Sequence, residues 1–205
     1  TPGGVALVPA EDVRDGRANT VKDILDYVPG VFAQSKYGQE DSRLAIRGSG
    51  LSRNVHLRGT RILRDGIPVT DADGAGDTME IDPLAVDYTE IYKGANALQY
   101  GASLLGGAVN FVSPTGRSQP GFLLRQELGS FGALRSQFGA GGVHGDYDYH
   151  VTPTYSHSNG FRDHTGQYYR RLNGNFGYRF GGGAGHPARA FGRRGGRARR
   201  GGDGQ

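Results

Sequence analysis

Tyr147-Asp148-Tyr149-His150-Val151-Thr152-Pro153-Thr154-Tyr155-Ser156 places aromatic or aliphatic residues at every odd position and polar ones at every even position. Successive side chains of a β-strand point to opposite faces. A period of two therefore puts Tyr147, Tyr149, Val151, Pro153 and Tyr155 on one face and Asp148, His150, Thr152, Thr154 and Ser156 on the other. The same pattern flanks this stretch. Upstream, Phe122, Leu124, Gln126 and Leu128 alternate with Leu123, Arg125 and Glu127, and Leu134, Ser136, Phe138 and Ala140 oppose Arg135 and Gln137. Downstream, Leu172, Phe176, Tyr178 and Phe180 oppose Tyr169, Arg171, Asn173, Asn175 and Arg179. Residues 119–180 thus read as four antiparallel strands of about ten residues, with one face mostly apolar and the other polar or charged.

Alternation alone fits a soluble antiparallel sheet with one wet face equally well. Two further features point to a membrane barrel. The links Gly129–Gly132 and Val143–Asp146 are short while His157–Gln167 is longer. Tyr also stands at strand ends, as in the aromatic girdles of outer-membrane barrels. No run approaches the roughly 18 apolar residues of a membrane-spanning helix, which leaves strands untouched.

Composition agrees. Of 205 residues, 37 are Gly and 36% are apolar or aromatic, which favours turns and β-structure over a helical bundle. Cysteine is absent, which removes disulfides, thiolate metal sites and Cys nucleophiles. The net charge of +4 is local: residues 181–205 hold six Arg and one Asp, a sum of +5, so the first 180 residues sum to −1. With ten Gly in 25 residues and no apolar period, 181–205 is expected to be a disordered Gly/Arg-rich tail. Its run Arg193-Arg194-Gly195-Gly196-Arg197 would suit single-stranded nucleic acid. The abrupt break after Phe180 favours a frameshift or truncation product instead, and no nucleic-acid partner is expected.

Residues 1–115 read as an α+β domain, a small mixed sheet with short helices. Thr20 N-caps a helix with Asp23 in capping-box position, Val21, Ile24, Leu25 and Val28 form its apolar stripe, and Pro29-Gly30 stops it. Strands are expected at Val31–Ser35, Leu44–Arg47, Val55–Arg58, Arg61–Arg64, Tyr88–Tyr92 and Gly107–Ser113. Asp65-Gly66 is a turn, Pro83–Val86 one helical turn, and Ala95–Tyr100 a short helix.

Several motifs then fall in a known order. They are Ile24-Leu25-Asp26-Tyr27-Val28-Pro29-Gly30-Val31, Ile46-Arg47-Gly48, Leu63-Arg64-Asp65-Gly66-Ile67-Pro68-Val69, Thr89-Glu90-Ile91-Tyr92-Lys93-Gly94, and Tyr100-Gly101 followed by Gly106-Gly107-Ala108-Val109-Asn110. Together they resemble the TonB-dependent receptors of Gram-negative outer membranes, over roughly residues 5–180. Lys93 and Ala95 stand where that family usually has Arg and Pro. The resemblance implies a plug domain (1–115) followed by the first strands of an incomplete outer-membrane β-barrel (119–180), in a barrel of roughly 22 strands. It implies uptake of a scarce nutrient without covalent chemistry, enzyme activity, cofactor or resident metal. The stretches Ser49-Gly50-Leu51-Ser52-Arg53-Asn54 and Lys93-Gly94-Ala95-Asn96-Ala97 look most like ferric-citrate-type receptors, so a ferric chelate is the expected ligand.

The implied partners are outer-membrane lipid and the TonB–ExbB–ExbD energy-transducing complex. A TonB box is not visible near Thr1, and Thr1–Ala10 lacks signal-peptide character, so both are expected upstream. A plug-only remnant without transport activity is the alternative for the chain as it stands.

The resemblance assigns roles to particular residues. Arg47, Glu90 and Lys93 are the candidate gating charges facing a barrel wall, the alternative being that Arg47 and Glu90 pair inside the plug. Arg47, Arg53 and His56 in one apical loop, and Asp71, Asp73 and Asp77 in another, are the candidate substrate contacts, with arginines suited to charge-assisted bonds to an anionic chelate. The three Asp also fit a solvated polar loop, and they miss the EF-hand pattern. Gly48, Gly66, Gly94, Gly101, Gly106 and Gly107 are expected at tight turns or close backbone approaches.

Other chemistries lack their signatures. Ser103, His56 and Asp65 have no Gly-x-Ser-x-Gly elbow around them, Gly101–Gly107 lacks the Lys-Ser/Thr of a phosphate loop, and the six His are scattered.

Overall fold

The structure, a computed structural model, describes residues 4–14, 16, 18, 20–36, 41–49, 59–69, 78–101, 106–160, 166–180 and 194–195. The chain divides into two units, Thr1–Ser113 and Pro114–Gln205.

In the first unit the expected helix forms as α2 (Val21–Leu25), after α1 (Ala10–Arg14). The Asp23 carboxylate accepts from the Thr20 backbone N–H at 2.8 Å and from its hydroxyl at 3.1 Å, closing the first turn as the sequence predicts. Val21, Ile24, Leu25 and Val28 are all buried. They pack with Leu44, Ile46, Ile62, Ile91, Val109 and Phe111 in one core.

That core lies on a five-stranded sheet built from β1 (Val5–Pro9), β4 (Thr60–Arg64), β5 (Ile67–Pro68), β6 (Tyr88–Lys93) and β7 (Gly107–Val112), in the order β1-β6-β7-β4-β5. Among the described residues, only the β4–β7 pair of this sheet is parallel. All six residues of β7 are buried, as a central strand covered on both faces requires. A separate hairpin joins β2 (Val31–Lys36) to β3 (Asp41–Ile46). The expected short helices form as 3-10 turns, Pro83–Ala85 and Gly94–Tyr100. Asp82 caps the first, accepting from the Leu84 N–H at 3.1 Å.

Four short elements go beyond the sequence reading, two of them the two-residue strands Ile67–Pro68 and Arg194–Gly195, the latter in the stretch expected to be a disordered tail. The run Val5–Pro9 is the edge strand β1, and Ala10–Arg14 is a helix of barely more than one turn, too short to show a period. The strand expected at Val55–Arg58 lies outside the described residues.

The second unit is an antiparallel meander of β8 (Gly121–Gly129), β9 (Ala133–His144), β10 (Tyr147–Ser158) and β11 (Gln167–Tyr178). A two-residue strand β12 (Arg194–Gly195) pairs with Arg171 and Leu172 of β11. The sheet is open, in the order β12-β11-β10-β9-β8. Its faces follow the alternation, but burial is inverted relative to a water-soluble sheet. Phe122, Leu124 and Leu128 are 86%, 72% and 76% exposed, while Arg135 and Gln137 on the opposite face are 5% and 2% exposed. Leu172, Phe176 and Tyr149 are likewise exposed, and Asp148, His150, Thr152, Thr154 and Asn175 buried.

Candidate functional site

The motif residues of the first unit gather into two polar clusters at opposite ends of the β6–β7 ladder. The first begins at the turn Ile46–Ser49. Arg47 and Gly48 both have positive φ (52° and 79°), and the Ser49 N–H donates to the Ile46 carbonyl at 3.0 Å. A turn with two left-handed central residues is natural for Gly and uncommon for Arg, so Arg47 is held there by its surroundings. Its backbone N–H donates to the Gly30 carbonyl at 3.0 Å, and its guanidinium lies over Gly94. Lys93 reaches the Pro29–Gly30 segment that Arg47 also binds, its Nζ donating to the Pro29 carbonyl at 2.6 Å.

Backbone bonds complete this end. The Gly94 N–H donates to the Gly106 carbonyl and the Gly106 N–H to the Gly59 carbonyl, each at 2.9 Å. Gly106 sits against Ser49 and Gly59, and Gly107 against the Tyr92 carbonyl, so both are close approaches of backbone. Gly101 lies under Arg61, whose Nη1 donates to the Tyr100 carbonyl at 2.5 Å.

The second cluster is built on the hairpin Asp65-Gly66, again with positive φ at both residues (52° and 79°). The Asn110 side chain joins two motifs. Its Oδ1 accepts from the Gly66 N–H at 2.9 Å, and its Nδ2 donates to Glu90 Oε2 at 2.8 Å. Asp65 Oδ1 accepts from the Ser113 N–H at 2.9 Å, which ties the turn to the end of β7. Tyr92 lies near by, edge-on to Tyr100 with centroids 5.1 Å apart. Burial raises its phenol above the ordinary range, helped by the hydrogen bond with Tyr100 and the charge of Glu90.

Arg47 and Glu90 therefore engage different partners, Gly94 and Asn110, and no ion pair joins them among the described residues. Arg53, His56, Asp71, Asp73 and Asp77 lie outside the described residues. Asn110 and Arg61, which carry much of the network, were not among the candidates. Asn110 closes the last motif, and its fully apolar neighbours in a central strand were the available signal, because a buried amide there must bond to something. Arg61 gave no such signal. A groove of about 440 Å³ opens between β1, α1 and α2, lined in part by Leu7, Asp12, Asp26 and Tyr27, and none of the candidate residues lines it. No cluster of His, Cys, Asp or Glu suited to a metal ion occurs among the described residues.

Against this geometry, the profile described as "TonB-dependent Receptor Plug Domain" matches residues 1–108. The chain is 31% identical over 116 residues to the ferrioxamine receptor of Yersinia enterocolitica, covering 55% of this chain and 15% of that receptor. It is 31% identical over 123 residues to the ferrichrome outer membrane transporter/phage receptor of Escherichia coli, covering 58% and 15%. It is 28% identical over 132 residues to the vitamin B12 transporter BtuB of Vibrio cholerae, covering 63% and 21%. The chain thus spans about a fifth or less of the length of these relatives. Among solved structures, it superposes on the siderophore receptor PirA from Pseudomonas aeruginosa with a TM-score of 0.59 at 22% identity, covering 87% of this chain and 32% of that one. FpvA of P. aeruginosa, bound to heterologous pyoverdines, gives a TM-score of 0.64 at 22% identity, covering 87% and 23%. At such identities the structural likeness speaks for the fold alone.

Proposed function

The chain belongs to the TonB-dependent receptor plug domain family, and on that premise we propose that it supplies the gating plug and the first wall strands of a Gram-negative outer-membrane importer of ferric chelates. The observation that carries the reading is the inverted burial of β8–β11. Exposed Phe122, Leu124, Leu128, Leu172 and Phe176 on one face, with buried Arg135, Gln137, Asp148 and His150 on the other, suit a wall with lipid outside and a polar lumen inside. In water that arrangement wastes the hydrophobic effect. Burying an apolar side chain of this size stabilises by about 1.5–3 kcal/mol, and here the apolar row is the one left out.

The meander is also incomplete. The outer edge of β8 has no partner among the described residues, and each unpaired backbone group in hydrocarbon costs on the order of several kcal/mol. The strands therefore do their work only within a closed barrel.

The first unit has features a removable stopper needs. Its motif residues spend their polarity on backbone carbonyls and amides within the unit: Lys93 on Pro29, Asn110 on Gly66, Asp65 on Ser113. Such a unit draws its shape from bonds between its own side chains and backbone. In this reading the TonB–ExbB–ExbD complex supplies the work that displaces it. Arg47, Arg53, His56, Asp71, Asp73 and Asp77 are kept as ligand contacts on the strength of the resemblance, and Arg47, Glu90 and Lys93 as gating charges facing the barrel wall.

The ligand class rests on the relatives. Of the relatives named above, the ferrioxamine receptor and the ferrichrome transporter carry iron chelates in their names, and the vitamin B12 transporter does not. The test is uptake of radiolabelled iron by cells making the complete receptor, offered as ferric citrate, ferrichrome, ferrioxamine or ferric enterobactin. Saturable uptake that disappears when TonB is deleted is expected for one of these chelates. Uptake of cobalamin in their place would overturn the ligand class, and uptake indifferent to TonB would overturn the mechanism.

A further inference from the structure

The segment that follows the plug, Pro114–Pro120, has a structure of its own. Its ends are the two prolines, whose fixed φ limits the chain. Between them the Gln119 N–H donates to the Thr115 carbonyl at 3.0 Å. Thr115 and Ser118 cap each other, each backbone N–H donating to the other's hydroxyl oxygen at 3.0 Å. Arg117 then fixes the loop to the second unit. Its Nε donates to Asp148 Oδ2 at 2.9 Å and its Nη2 to the Asp146 carbonyl at 3.1 Å.

The contact is closely fitted. Asp148 is 6% exposed and lies against Gly177, where a Cβ would stand 2.6 Å from Oδ2. Gly116 lies directly on the Gly142 and Tyr149 carbonyls, and Gly141 directly under the Gln119 carbonyl, so neither position has room for a side chain. Asp148 is a buried carboxylate, and a buried charge keeps its place only with a partner. On the other side of the junction, the Ser113 N–H is bound to Asp65 within the first unit. Ser113 and Pro114 are consecutive, so a single peptide bond separates these two bonded structures along the chain.

We propose that Pro114–Pro120 is a clamp that ends the movable part of the chain at Ser113, and that Arg117, through Asp148, is its positioning residue. With the clamp closed, work applied to the first unit stops at the junction and leaves β8 in register. With it open, seven more residues become available, about 24 Å of extended chain, and the pull reaches the first wall strand. The use made of the clamp rests on the plug reading above, whereas its existence does not.

The test is made on the full chain, which has no cysteine of its own. One handle is placed at the N-terminus and one at an introduced cysteine, His144→Cys, on an exposed strand end. Under force, the wild-type background should release the chain to Ser113 first and residues 114–120 in a separate, later step adding about 24 Å of contour length. In Arg117→Ala the two steps should merge, and the conservative Arg117→Lys, which keeps a cation beside Asp148, should part them again. Amide exchange gives the second readout. Arg117→Ala should speed exchange at Ser118 and Gln119 at least tenfold while β9 and β10 keep their protection. Release of 114–120 together with the first unit in wild type would overturn the proposal. So would unchanged exchange at Ser118 and Gln119, or protection falling equally throughout β9 and β10. A failed uptake experiment would remove the transporter reading and leave these results standing.

Discussion

The guanidinium of Arg47 lies over Gly94, so close that a methyl group added at position 94 would stand 2.7 Å from Nη1. Two obstacles therefore oppose Gly94→Ala, and they differ in kind. The Arg47 side chain can swing aside. The backbone, at φ +60°, cannot leave the left-handed region without breaking the Gly94–Gly106 bond. We expect Gly94→Ala to destabilise the first unit by about 1–2 kcal/mol, the cost of an L-residue in that region. Denaturant titration should give the same loss when Arg47 is already Ala. A full rescue by Arg47→Ala would place the cost in the side-chain contact instead.

Gly107→Ala should be worse. The added Cβ would overlap the Tyr92 backbone carbonyl oxygen, and that carbonyl belongs to the neighbouring strand of the same sheet. No rotamer relieves it, so β6 and β7 must separate locally. A loss above about 3 kcal/mol, in the range of severe overpacking, is expected. Hydrogen exchange should show it as lost protection along Tyr88–Lys93 and Gly107–Val112. A loss no larger than that of Gly94→Ala would refute the ranking.

Asn110 couples Gly66 to Glu90, and a double-mutant cycle can measure that coupling. Asn110→Ala strands the Gly66 N–H and removes a donor from the Glu90 carboxylate. A cost of about 1–3 kcal/mol follows for a partly buried group left unsatisfied. In a Glu90→Ala background the same change should cost less, with a coupling of about 0.5–3 kcal/mol. Strict additivity would mean that the bond carries no net energy.

Much of this was legible in the sequence, and the misses have physical reasons. Period-two alternation located β8–β11 and both of their faces, because each strand is long enough to show its period and has one apolar face. The capping box at Thr20 and Asp23 and the Asp65-Gly66 turn were legible because local chemistry decides them. β1 and α1 were not. A five-residue edge strand and a five-residue helix draw their stability from Tyr88–Tyr92 and the core, and little of it from their own pattern. The glycines were readable as sites of unusual backbone, but their partners were not: nothing local says that Arg47 will cover Gly94 or that Asn110 will reach Gly66. Such pairings exist only after strands distant in sequence have met.

Tyr92 is expected to weaken the first unit at alkaline pH. Burial, the Tyr100 hydrogen bond and the Glu90 charge all favour its neutral phenol in the fold. The folded pKa is therefore raised above the ordinary 10.0. The stabilisation is complete below that value and is lost as pH rises through the folded one. Stability measured from pH 9 upward should fall less steeply in Tyr92→Phe than in wild type once pH exceeds about 10. Parallel curves would show that other groups set the alkaline limit.

The two faces of β11 allow the membrane reading to be tested with neighbouring residues. Leu172 is 51% exposed on the apolar face, and Asn173 is next to it on the polar face. In water, Leu172→Arg would be a mild surface change, because the side chain is already half exposed. In a wall facing lipid it should cost about 2–4 kcal/mol if it lies near the bilayer midplane, and less towards the interfaces. Asn173→Arg faces the lumen and should be tolerated in either case. The measurement is folding of the complete receptor into lipid vesicles, scored by heat-resistant migration and protease protection. Loss of folded receptor with Leu172→Arg but not with Asn173→Arg is the expected result. Equal tolerance of both would mean that the exposed row of Phe122, Leu124, Leu128, Leu172 and Phe176 meets water or another protein, and the barrel reading of this unit would have to be given up.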